Sequence, residues 1–119
     1  MYKWSIWTMA TISNLFIDQD ADFTTTVTVN DSNNSALDLT GYTAIGMIRK
    51  SYSSSTSTSF TIAFESPRTS GQITMSLTDV QTAALSSGRY VYDLVITDVS
   101  GDKTRVVEGI ATIKPSVSR

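Results

Sequence analysis

Acidic side chains are the residues through which this chain could hold a metal or move a proton. Asp18, Asp20 and Asp22 stand at alternate positions, a spacing that suggests oxygen ligands for calcium. An EF-hand loop also needs glycine at its sixth position and a bidentate acid at its twelfth, and those places hold Phe23 and Val29. The three aspartates are therefore expected to form a solvated bend between two strands, where their charge discourages edge-to-edge aggregation. Glu65, Asp93 and Glu108 could supply the carboxylate pair of a glycosidase. Asp93 and Glu108, however, fall on neighbouring strands whose outer faces need polar residues, and Arg89 and Arg105 across the same hairpin are their expected partners.

Histidine and cysteine are both absent from the 119 residues. That removes the commonest general base, the commonest zinc ligands and the thiol nucleophile together, so the chain is expected to be no enzyme and to carry no cofactor or metal. The net charge is -2, and no basic run is longer than Arg49 and Lys50, which speaks against a nucleic-acid partner. No apolar stretch approaches the roughly 18 residues of a membrane span. The start of the chain lacks the apolar run of a signal peptide, being interrupted by Ser5 and Thr8, so synthesis and use without secretion are expected. Asn30-Asp31-Ser32 and Asn33-Asn34-Ser35 match a glycosylation pattern that matters only in a secreted eukaryotic protein.

Aromatic residues offer a different chemistry, that of contact. Tyr2, Trp4, Ile6 and Trp7 put both tryptophans of the chain ahead of Met9-Ala10-Thr11-Ile12, which itself resembles a natural start. Residues 1–9 are accordingly read as an aromatic arm and residues 10–119 as the folded domain. An indole buries about 150–250 Å², so docking one is worth at most about 4–6 kcal/mol. The arm is expected to add to a sheet edge or fill a groove on a neighbouring subunit. The alternative is that it folds back as the first strand of its own domain.

The elements that must position these groups are strands. Serine and threonine occur 18 times each, the threonines interleaved with Val, Ile, Phe and Tyr, as suits a pleated, half-buried surface. Phe23, Thr25, Val27 and Val29 fall on one face of a two-residue repeat, with Thr24, Thr26 and Thr28 on the other. Similar alternation recurs as Phe60, Ile62, Phe64; as Ile73, Met75, Leu77; and as Tyr90, Tyr92, Leu94, Ile96 opposite Val91, Asp93, Val95 and Thr97. Thr78 and Gln81 form a capping box that predicts one short helix through Leu85, stopped by Ser86, Ser87 and Gly88.

The polar link 98–102 predicts an antiparallel hairpin between two long strands, the second closed by Pro115. Breaks are expected at 31–35, 39–41 and 66–71, and the Ser/Thr-rich segment 51–59 reads as a flexible or extended connection. The sum is an all-β, immunoglobulin-like antiparallel sandwich of about seven or eight strands with one short helix. Tyr90 or Tyr92 could make a tyrosine corner, bonding back to the preceding turn.

Several segments in order carry a resemblance: Leu37-Asp38-Leu39-Thr40-Gly41-Tyr42-Thr43-Ala44, Ile48-Arg49-Lys50-Ser51, the run 71–94, and Thr104-Arg105-Val106-Val107-Glu108-Gly109-Ile110-Ala111-Thr112-Ile113 before Pro115. Over residues 10–119 the chain is similar to the small β-sandwich domain of tailed phages. That domain resembles the N-terminal module of baseplate upper proteins and also occurs as a free-standing virion protein. The resemblance implies a structural subunit of the virion, at the tail, baseplate, neck or capsid, whose partners are other virion proteins and copies of itself. Without heptads or collagen-like repeats, it is expected to act through its surface and not as a long fibre. A carbohydrate-binding module, with Tyr2, Trp4, Trp7, Tyr42 and Tyr52 stacking on sugars, is the alternative from another class.

Overall fold

A strand between two sheets needs apolar residues on one side only, and that rule shapes the larger part of this molecule. The computed structural model describes residues 11–30 and 35–117. The described residues form nine strands in chain order: β1 (Thr11–Ile12), β2 (Leu15–Asp18), β3 (Phe23–Thr28), β4 (Thr43–Arg49), β5 (Thr58–Ser59), β6 (Thr61–Phe64), β7 (Gln72–Leu77), β8 (Gly88–Thr97) and β9 (Lys103–Lys114). The larger sheet has the order β1-β9-β8-β4-β5, with β2 also on β9, and the smaller has the order β3-β7-β6. The molecule is an immunoglobulin-like β-sandwich, antiparallel except where β1 and β2 run parallel to β9.

Between the sheets lies one core. Ile17, Leu39, Ile48, Ile73, Met75, Leu94, Ile96 and Ile113 are essentially fully buried. Each such side chain contributes about 1.5–3 kcal/mol by leaving water. The alternations read from sequence hold: Ile73, Met75 and Leu77 point inward from β7, and Tyr92, Leu94 and Ile96 from β8. Phe60 bridges the layers, since its backbone N–H donates to Gly46 of β4 just before the chain enters β6. Its ring meets Tyr92 edge-on, with centroids 6.2 Å apart.

Strands β8 and β9 form the expected hairpin, Thr97 facing Lys103. Asp98 holds the turn: its Oδ1 accepts from the N–H groups of Ser100 and Asp102 at 2.9 and 3.0 Å. A bulge follows where β8 steps from Leu94 to Val95, which lets both Val106 and Val107 turn inward from β9.

Three expectations are corrected. Helix α1 spans only Asp79–Ala83, capped by Thr78 and Gln81 as foreseen, but Ala84 ends it and Gly88, at φ 130°, opens β8 instead of closing the helix. Segment 51–59 is not wholly a connection, because Thr58–Ser59 pairs with β4 as a two-residue edge strand. The strand count also rises to nine among the described residues, since β1 and β5 are two residues long and too short to leave a period.

Candidate protein-interaction surface

A strand in a two-layer sandwich has one face with no second sheet to cover it, so apolar residues there are unexpected. On β8 that outer face carries Val91 and Val95, and on β4 it carries Ile45 and Met47. Register brings them together: Ile45 faces Val95, Met47 faces Asp93 and Arg49 faces Val91. Ile45 is 57% exposed. Further along the same face, Ile110 of β9 and Phe16 of β2 are 38% and 65% exposed, and Phe16 faces Thr112.

Ile45, Met47, Val91 and Val95 floor a shallow groove of about 420 Å³, rimmed by Arg49, Tyr52, Asp93, Lys103 and Arg105. The rim is held in place. Arg49 Nη1 donates to the Ser54 carbonyl at 2.8 Å, and so ties the loop that carries Tyr52 to the end of β4. Tyr52 is 69% exposed there. Arg105 Nε lies 3.2 Å from Asp93 Oδ2, and its Nη1 lies 3.5 Å from Glu108 Oε1. An apolar floor inside a fixed polar rim is the anatomy of a protein contact, where the floor supplies the energy and the rim the register.

The residues singled out in the sequence distribute as follows. Arg105 pairs with Asp93 across the hairpin as expected and with Glu108 three residues on in its own strand, whereas Arg89 faces Thr112 further along β8. Glu65 is elsewhere, accepting from Thr74 Oγ1 at 2.6 Å. Asp18, Asp20 and Asp22 lie at the bend joining β2 to β3. Asp20 there adopts φ 64°, and Asp22 Oδ1 accepts the Asp79 N–H at 2.8 Å, docking α1 onto the bend. Tyr2, Trp4, Ile6 and Trp7 lie outside the described residues, as do Asn33 and Asn34. Tyr42 and Tyr52 flank opposite ends of β4, roughly 20 Å or more apart along a strand, and do not form one stacking platform.

Tyr92, not Tyr90, makes the long-range bond, and its partner differs from the expected preceding turn. Its hydroxyl donates to the Ser13 carbonyl, in the link between β1 and β2. Burial pushes the Tyr92 hydroxyl pKa above the ordinary tyrosine range, and the bond to Ser13 opposes that only in part. Tyr90 instead lies under Lys50, whose Nζ is 4.7 Å from the ring centroid. The groove itself was missed in the sequence reading. Its signal was present, because β8 is apolar at Val91 and Val95 as well as on the inward side.

No family profile and no curated protein matches this chain. Solved structures similar to it include the Lin-41 filamin domain, at 15% identity and TM-score 0.47, covering 83% of this chain and 82% of that one. A structure from work on multimeric cell-adhesive interactions of VGSC beta subunits is similar at 9% identity and TM-score 0.47, over 90% of this chain and 95% of that one. An internalin-like protein of Listeria monocytogenes is similar at 14% identity and TM-score 0.45 over 88% of this chain. The chain spans 28% of that protein's length.

Proposed function

We propose that this chain is a non-catalytic structural subunit of a bacteriophage particle, and that the outer face of its larger sheet is the surface by which it binds other virion proteins. The observation that carries the contact surface is the apolar floor of Ile45, Met47, Val91 and Val95 between two anchored arginines. Keeping such a strip in water is unfavourable by about 25 cal/mol for each Å² that a partner would cover. The particle enters through the order of segments that resembles the tailed-phage domain, and the lack of imidazole and thiol groups leaves binding as the simplest use of the surface.

Quantitative mass spectrometry of purified particles tests this reading. The chain is expected in many copies per particle, and Ile45→Glu is expected to reduce its incorporation at least tenfold while leaving its melting temperature within a few degrees. Absence of the unmodified chain from purified particles would refute the virion assignment. Normal incorporation of the Ile45→Glu chain would refute the surface.

A further inference from the structure

The groove is matched by a projection elsewhere on the same molecule. We infer that the outer-face groove of one copy receives the tip of a second copy, formed by the bend between β2 and β3 and the start of α1; the inference rests on reading that face as a contact surface.

Charge is the first argument. The groove lining sets Arg49, Lys103 and Arg105 against Asp93 alone, a surplus of two positive charges in a chain whose net charge is -2. Asp93 and Glu108 both lie at Arg105, so among the described residues no carboxylate pairs with Arg49 or Lys103. The opposite imbalance is found at the tip. Asp20, Asp22 and Asp79 are exposed there, and no cation pairs with them among the described residues. Lys114 faces Asp18 and lies over the Phe16 ring instead.

Shape agrees with charge. Val80 follows Asp79 at the tip and is 75% exposed. An apolar side chain beside carboxylates is the counterpart of the floor of Ile45, Met47, Val91 and Val95 beside cations: the apolar parts leave water together and the charges set the register. The tip is also rigid. Asp22 Oδ1 accepts the Asp79 N–H at 2.8 Å and Thr82 Oγ1 donates to the Ala21 carbonyl at 2.9 Å, which ties bend and helix at two points. A projection fixed in this way loses little freedom when it docks. Tip and groove belong to the same closed sandwich and are different surfaces, so the contact forms between copies, head to tail, and builds rings or filaments.

Two full-length variants test it by complementation. Val80→Lys gives the tip the charge of the groove rim, and Ile45→Glu gives the groove floor the charge of the tip. Sedimentation velocity should show the unmodified chain associating as concentration rises, and about tenfold more weakly at high salt than at low, because exposed charges are screened. Each variant alone should self-associate at least tenfold more weakly, with its melting temperature within a few degrees of the unmodified chain. Their equimolar mixture should regain association, since each supplies the surface the other lacks.

An unmodified chain that stays monomeric overturns the inference, and so does a mixture that stays monomeric. Undiminished self-association of Val80→Lys overturns it as well, by pointing to groove meeting groove. Tyr52→Glu, at the exposed rim, repeats the groove arm of the test should Ile45→Glu disturb folding. If the chain is monomeric while Ile45→Glu still lowers its incorporation into particles, this contact falls and the face remains a surface for other virion proteins. A restored mixture of a chain that is absent from particles keeps the contact and removes the virion reading.

Discussion

Gly109 is where three segments meet. It faces Tyr92 across the β8–β9 ladder, and a Cβ placed on it would stand 2.0 Å from the Ser13 carbonyl oxygen and 3.2 Å from the tyrosine ring. The obstacle is backbone, which no rotamer change can relieve. Gly109→Ala is therefore expected to cost about 3 kcal/mol by pushing the β1–β2 link off β9, read as a lower urea midpoint at unchanged slope. Tyr92→Phe removes the donor to Ser13 and is expected to cost about 1 kcal/mol at neutral pH. Its pH dependence carries a sign. The folded chain holds the Tyr92 proton to higher pH than the unfolded chain does, so stability is kept below about pH 10 and falls as pH rises through the folded-state value. Urea midpoints should drop less steeply above pH 10 in Tyr92→Phe than in the unmodified chain. A tyrosine late in the chain was a visible corner candidate, but its acceptor lies 79 residues away in sequence, beyond any local pattern.

At the level of elements, local chemistry was legible and distant pairing was not. The capping box works as the sequence foretold: Thr78 Oγ1 accepts from Gln81 N–H, and Gln81 Oε1 accepts from Thr78 N–H at 2.9 Å. Thr78→Ala should cost about 1 kcal/mol, lowering the melting temperature by a few degrees in calorimetry. Thr82→Val should cost more, about 1–3 kcal/mol, since the buried Thr82 hydroxyl satisfies the Ala21 carbonyl at 2.9 Å and valine would leave that acceptor unpaired. Strands β3, β7 and β8 were readable because each has one face against the core, which stamps a period on the sequence. Thr58–Ser59 was not, as two polar residues have no period and owe their strand pairing to the edge of β4. The parallel docking of β1 and β2 on β9 escaped for another reason: it joins residues 96 positions apart, such as Leu15 and Ala111, whose relation no local signal encodes. Asn14 shows how that edge survives a break, its side-chain Oδ1 accepting the Ile110 N–H at 3.1 Å where the strand pairing lapses between β1 and β2.

For the whole molecule, one layout separates stability from contact. The core lies between the sheets, and the groove lies on the far side of the larger one, so a charge placed at Ile45 is expected to weaken binding at that face without unfolding the chain. The route of the backbone adds a mechanical consequence. Tension applied through the residues before Thr11 and after Lys114 pulls β1 and β2 against β9 along their shared direction, and loads the ladders at 11–12 and 15–18 together in shear. Tension applied instead across the two ends of the β8–β9 hairpin would open its bonds one after another, as a zipper. Single-molecule pulling should therefore find a markedly higher rupture force along the first axis than along the second, and equal forces would contradict the parallel edge. A domain wired this way can carry load along its parallel edge while its fold stays closed.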